Sequence, residues 1–345
     1  MPGTTTGETF DDVVTNLFFE TPAANDGLPR VYIPVAGSPL VALRVPELVP
    51  GTPTPQDISV TAKGDAKIEA AIISAAVSLG VGGGAGVGVG VGTSYAKNDI
   101  GNGDNSGVFA NVTNATLGAT GNITISADMT SEIKSFVGSF AVALAGGYVG
   151  VAGAGAGAFA VNTIDYAVIT KVNDSDLTAG GTVSVLATDS AIIDATVASA
   201  SVSAAFGVIA FAGAVAVSTA ANDVDNTIEA SVNRSSVEAA NLTIDAKDNT
   251  KVDVEARAAA VAVSGGIGAA LSGGGALADI DATSTVRADL TGAGAADVID
   301  VSGTVTVAAT NQSLLDAEVQ VLSVSLGLVG LAASGSIAKI NTRPA

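Results

Sequence analysis

Apolar and polar residues alternate at period two over long stretches of this chain. Across residues 192–205 one set of alternate positions carries Ile193, Ala195, Val197, Ser199, Ser201 and Ser203. The other set starts polar, with Asp194 and Thr196, and turns apolar at Val202 and Phe206. Period two is the signature of a β-strand. The change along the second set predicts a strand whose first half faces water on one side and whose second half is covered on both. A shorter alternating motif, apolar–Ser/Thr–apolar–any–Ala, stands at 58–62, 123–127, 183–187, 242–246 and 305–309, at intervals of 59 to 65 residues. Self-similarity at such an interval predicts stacked modules in place of one globular core.

Each module has the same internal order. The short motif is followed by Asp65, Asp128, Asp189, Asp248 or Asn311, which reads as a turn. A long alternating stretch comes next, then glycine punctuation at 80–84, Gly146-Gly147, Gly207, Gly265-Gly266 and Gly327. A strand of small residues returns and ends in a cluster of Asn and Asp, and short strands such as 229–232 and 236–239 close the unit. These pieces suit the sides of a β-solenoid, with either about three rungs of ~20 residues per repeat or one very wide rung. Helices are a poor alternative, because an interior Gly costs a helix about 1 kcal/mol. Gly84, Gly86, Gly88, Gly90 and Gly92 alternate strictly with Ala or Val. That spacing leaves one strand face bare, so that an opposing sheet comes closer than the usual ~10 Å.

The expected architecture is therefore all-β: an elongated, parallel β-helix-like solenoid over 58–345, with modules at 58–122, 123–182, 183–241, 242–304 and an incomplete 305–345. Residues 1–57 do not repeat and hold most of the prolines, which reads as a cap or linker over the stack's open end. Within it, residues 9–20 suit a short helix.

Composition narrows the function classes. The net charge is −19, which disfavours nucleic acid as a partner and keeps a strand-rich chain soluble. With no Cys and no His, disulfides, thiolate metal sites and the commonest general base are excluded. No basic, apolar-cored export signal follows Met1. The charge-free run 141–161 has 21 residues, enough to span a bilayer as a helix, but its Gly and Ala content and its recurrence in every module favour a buried hairpin. The glycines of 80–85 fit a loose dinucleotide pattern, yet no helix follows to receive a phosphate.

The Asx clusters are the candidate ligand sites. Asn222, Asp223, Asp225 and Asn226, and likewise Asn98, Asp99 and Asp104, offer hard oxygens within short segments, as Ca²⁺ requires. The competing reading is structural: Asn and Asp accept backbone bonds at corners and stack as ladders. Arg234, Arg257 and Arg287 fall in different modules without a convergent acidic set, so no enzyme is expected.

The unit at 227–246, Thr-Ile-Glu-Ala-Ser-Val-Asn-Arg-Ser-Ser-Val-Glu-Ala-Ala-Asn-Leu-Thr-Ile-Asp-Ala, resembles the repeats of large bacterial surface proteins of the filamentous-adhesin and leukotoxin-like β-strand families. So does the glycine-rich hairpin with its Asx corner at 213–226. The resemblance covers roughly 58–345. It implies secretion, display at the cell surface, and an adhesive or scaffold role toward a host cell, a neighbouring cell or matrix. It supplies no catalytic residues. The expectation is an extracellular structural or adhesive segment that self-associates into a fibre or sheath. The alternatives are a membrane-perturbing, toxin-like repeat protein and a polysaccharide-active β-helix enzyme.

Overall fold

In the computed structural model the described residues are 30–33, 41–44, 56–101, 106–292 and 298–344, and they contain no helix. The predicted helix at 9–20 lies outside them. Strands β1 (Arg30–Ile33) and β2 (Val41–Arg44) pair antiparallel. Every pairing among the strands that follow is parallel.

The first module contributes β3 (Ile58–Val81), β4 (Ala85–Gly101), β5 (Gly107–Thr113) and β6 (Thr116–Ala119). The second contributes β7 (Ile123–Gly146), β8 (Val149–Asn173) and β9 (Asp176–Ala179), and the third β10 (Thr182–Asn233) and β11 (Ser236–Ala239). The fourth holds β12 (Asn241–Asp248), β13 (Lys251–Thr291) and β14 (Ile299–Val301), and the fifth β15 (Val305–Asn311), β16 (Leu314–Leu326) and β17 (Val329–Pro344). β1 also pairs antiparallel with β5, at the edge of the first module.

Each module is one layer. A first arm runs out to the glycine bend and a second arm returns; each arm pairs in parallel with its counterpart one module on. Thus β3 pairs with β7 from Ile58↔Ile123 to Val81↔Gly146 without a slip. β8 continues the same scheme onto the second half of β10, from Ile209↔Val149 to Asn233↔Asn173. The short strands β6, β9, β11 and β14 form a separate parallel sheet, one strand from each of the first four layers. The repeat interval is thus the pairing interval: each long strand pairs with one about 60 residues on and not with one about 20 residues on. Layer width follows: a straight 24-residue arm such as β3 spans about 80 Å, whereas five layers stack to only about 24 Å.

The predicted turns at Asp65, Asp128 and Asp189 are not turns. They lie inside β3, β7 and β10, which continue through them. Only the fourth and fifth modules break there, after Asp248 and Asn311. The bend at the opposite end is real. β10 crosses it with a register irregularity between Phe206 and Ile209. β13 crosses it at Gly266, whose φ of +144° only glycine adopts without strain.

Side-chain size sets the thickness of the interior. Near the short sheet the two arms enclose Ile133, Ile193, Ile228, Val232, Leu242 and Ile244, all fully buried. Each Ile or Leu there contributes about 1.5–3 kcal/mol. Toward the glycine bend the interior of the first four layers carries only Ala, Ser and Gly, including Ala141, Ala143, Ala154 and Ser201. Here the sheets nearly touch: a Cβ on Gly88 would lie 2.4 Å from the Leu144 carbonyl oxygen. Serine hydroxyls bond across the gap, Ser94 to Gly138 O at 2.6 Å and Ser139 to Gly92 O at 2.7 Å. The close approach expected from the alternating glycines is present.

The outer surface near the bend departs from expectation. The second face of the long strand is apolar there but uncovered: Val202 is 38% and Phe206 54% exposed. Its cover is not supplied by the described residues of this chain.

Candidate functional site

Strand alternation decides which polar side chains enter the interior. On β10, Val183, Val185 and Ala187 point inward and are buried, and the same parity carries Asp189 inward. It is fully buried. Its register partner on β12 is Asp248, also fully buried, so two carboxyls stand on adjacent strands inside the molecule.

The return arms supply the partners. Tyr166 on β8 has the parity of Ile164 and Val168, and Asn226 on β10 that of Val224 and Ile228; all are buried. The Tyr166 hydroxyl donates to Asp189 Oδ1 at 2.6 Å, and the Asn226 amide donates to Oδ2 at 2.8 Å. Ser131 lies 2.7 Å from the Tyr166 hydroxyl. Asp248 Oδ1 accepts from the Thr250 backbone N–H at 2.9 Å and from its hydroxyl at 2.6 Å. Asn226 Oδ1 is buried with no hydrogen-bond partner.

Burial pushes the Asp189 carboxyl up to about 7, and the neighbouring Asp248 charge adds to the rise, while the bonds from Tyr166, Asn226 and the Ser190 backbone oppose it. Burial, with Asp189 beside it, also drives the Tyr166 phenol far above its ordinary value. The arrangement holds a proton inside the stack. It is buried from solvent, so a change in its protonation acts on the fold.

The sequence-predicted ligands are separated by the same alternation. Asn98 points inward and donates to Asn162 Oδ1 at 2.8 Å; Asn162 donates to Asn222 Oδ1 at 2.7 Å. These three form a ladder through three layers. Asn222 and Asn226 face inward, whereas Asp223 and Asp225 between them are exposed on the outer face. Asp99 also faces outward and pairs with Lys97. Asp104 lies outside the described residues. Among the described residues no group of three or more His, Cys, Asp or Glu is placed to hold a metal ion.

Other Asx residues act at the corners. Asn122 Oδ1 accepts from Thr182 N at 2.9 Å, and Asn241 Oδ1 from Thr304 N at 3.0 Å, each tying one module's entry to the next. Asn114, Asp174 and Arg234 occupy equivalent positions with φ of 51°, 49° and 45°, and Arg234 forks onto Asp174 through Nε at 2.7 Å and Nη2 at 2.6 Å. The ladder is readable from the sequence as Asn98, Asn162 and Asn222 at module spacing; the corner position is not, since Arg234 stands there beside Asn114 and Asp174. The Tyr166–Asp189 pair was readable only from parity.

No helix among the described residues is long and apolar enough to cross a membrane. No protein-family model matches the chain, and neither a curated protein nor a solved structure does so.

Proposed function

We propose that this chain is a structural segment of an extracellular or bacterial cell-surface protein. In this reading it is a parallel β-solenoid with one wide coil per repeat, and its work is mechanical and adhesive, not catalytic. It forms or belongs to a fibre or sheath. The observation that carries the reading is the parallel register that runs without a slip along the first arms of all five modules. A stack held this way transmits load through backbone ladders, and each added layer extends it at no new design cost.

Three further features support it. Ion pairs link successive layers on the outer face: Lys67 to Glu132 at 3.1 Å, and Lys339 to Asp279 at 3.1 Å. The interior polar groups stack into ladders instead of opening onto a cleft. Among the described residues, β3 and β16 each have a neighbour on one side only, which is an invitation to further strand pairing.

Electron microscopy of the purified chain tests the proposal. Plates or ribbons about 80 Å wide, lengthening along the stacking direction as concentration rises, are expected from the arm length. Round particles of unchanging size at every concentration would overturn it.

A further inference from the structure

The outer face of the first arms is apolar over the half nearest the glycine bend. In register across the five layers, Val77, Val142, Val202, Val261 and Val324 make one straight column. Beside it, toward the bend, run Leu79, Leu144, Ala204, Val263 and Leu326. Much of this surface is open to solvent: Val77 is 78%, Phe140 46%, Val202 38% and Leu322 56% exposed, while Ala204 in the middle layer is buried. Charges stop at a line through Glu69, Lys134, Asp194, Arg257 and Glu318, and none lies between that line and the bend on any first arm.

About five strands at ~4.8 Å and roughly eleven residues at ~3.3 Å give an area on the order of 850 Å². That exceeds what a soluble monomer usually leaves exposed in one patch. It equals what one partner contributes to a standard stable interface, about 800 Å².

We infer that this face is where a second copy of the chain docks, sheet against sheet. The two stacks overlap at their bends, with their charged ends directed apart. This pairing is sideways and goes beyond the end-on stacking proposed above. A hydrocarbon bilayer is the other medium an apolar face suits, and the fold argues against it. Within lipid the outer edges of β3 and β16 would leave backbone groups unsatisfied at several kcal/mol each, whereas a partner sheet on the face leaves those edges in water. Charge sets the orientation. With −19 on each copy, overlap at the charge-free ends keeps the acidic ends farthest apart. A two-fold axis along the valine column then brings Val202 opposite its own symmetry mate, and carries Asp194, eight positions away, to a separation of about 50 Å from its mate.

The natural chain has no cysteine, so single-cysteine variants of the full chain report the contact cleanly. With a short bis-maleimide, V202C is expected to give a covalent dimer and D194C to stay single. By sedimentation, V202D is expected to weaken pairing about 30-fold or more, as loss of a central contact does. Its circular dichroism should be unchanged because the side chain points outward, and ribbons of single thickness should persist, so failure here is separable from failure of the stacking proposal. If V202D misfolds, the cysteine comparison decides alone. A natural chain that never pairs, equal cross-linking of V202C and D194C, or capture of the chain by phosphatidylcholine vesicles with loss of the V202C cross-link would each overturn the inference.

Discussion

The Tyr166 hydroxyl donates a hydrogen bond to Asp189 Oδ1 at 2.6 Å, from the return arm of one layer to the first arm of the next. This contact joins the two sheets at the point where the predicted corner turned out to be continuous strand. It also places a titratable group where its ionisation acts on the fold.

The first prediction follows from its sign. Asp189 has an ordinary value of 3.8 when unfolded and about 7 when folded, so the folded state binds its proton more tightly. Its contribution to stability is complete below pH ~4, falls as pH rises toward ~7, and is flat above. The loss is on the order of 4 kcal/mol. In D189N this slope disappears, because the amide is neutral throughout and its Nδ2 can donate to Asn226 Oδ1 once that amide is turned over. Urea melts from pH 4 to pH 8 check this; a natural chain equally stable at both ends of the range would contradict it.

Removing the phenol separates the hydrogen bond from packing. Y166F keeps the ring buried but withdraws the donor from Asp189, leaving that carboxyl with a smaller set of partners. The expected loss is about 1–3 kcal/mol, larger at pH 8 than at pH 5, since the bond favours the charged form. Equal losses at both values would show that Tyr166 acts only as filler.

A matched pair of glycines tests the close approach of the sheets. G88A puts a methyl group 2.4 Å from the Leu144 carbonyl oxygen, and overpacking of this kind costs about 1–3 kcal/mol. G153A sits on the outward face with nothing within 4 Å, so it is expected to be neutral or to stabilise by a few tenths of a kcal/mol. Thermal melts of the two variants should move in different directions or by clearly different amounts. Equal destabilisation would mean the bare inner face is not what lets the sheets meet.

The asparagine ladder offers a fourth handle. N162A removes the acceptor of Asn98 and the donor of Asn222 together, leaving buried amides unsatisfied in two neighbouring layers. A loss of about 2–4 kcal/mol is expected, with faster amide exchange in the first three layers than in the fifth. A loss confined to residues next to position 162 would argue against coupling through the ladder.

Much of this was legible before the structure. The five motifs starting at Ile58, Ile123, Val183, Leu242 and Val305 fall on one register column, as their repetition implied. The glycines from Gly86 to Gly92 do face the interior. Asp189 was misread because Asp after a short strand favours a turn, although counting by twos from Val183 places it with the buried set. The same count separates Asn222 and Asn226 from Asp223 and Asp225, which proximity in sequence had grouped. What parity does not reveal is whether an apolar outer face is covered. Val202 and Phe206 look like core from sequence, because hydrophobicity reports a preference for burial and not the identity of the covering surface.

The central claim is that modules stack flat, parallel and in register. Spin labels measure this most directly, in two double-cysteine chains: K63C with T310C, and L79C with L326C. Each pair joins the first layer to the fifth within one register column, one pair in the short-motif stretch of the first arm and the other near its bend. Four strand spacings put both pairs about 19 Å apart, apart from the label arms. Two equal, narrow distance distributions near that value are predicted. Unequal distances, or distributions centred beyond about 38 Å, twice the four-spacing value, would contradict the account.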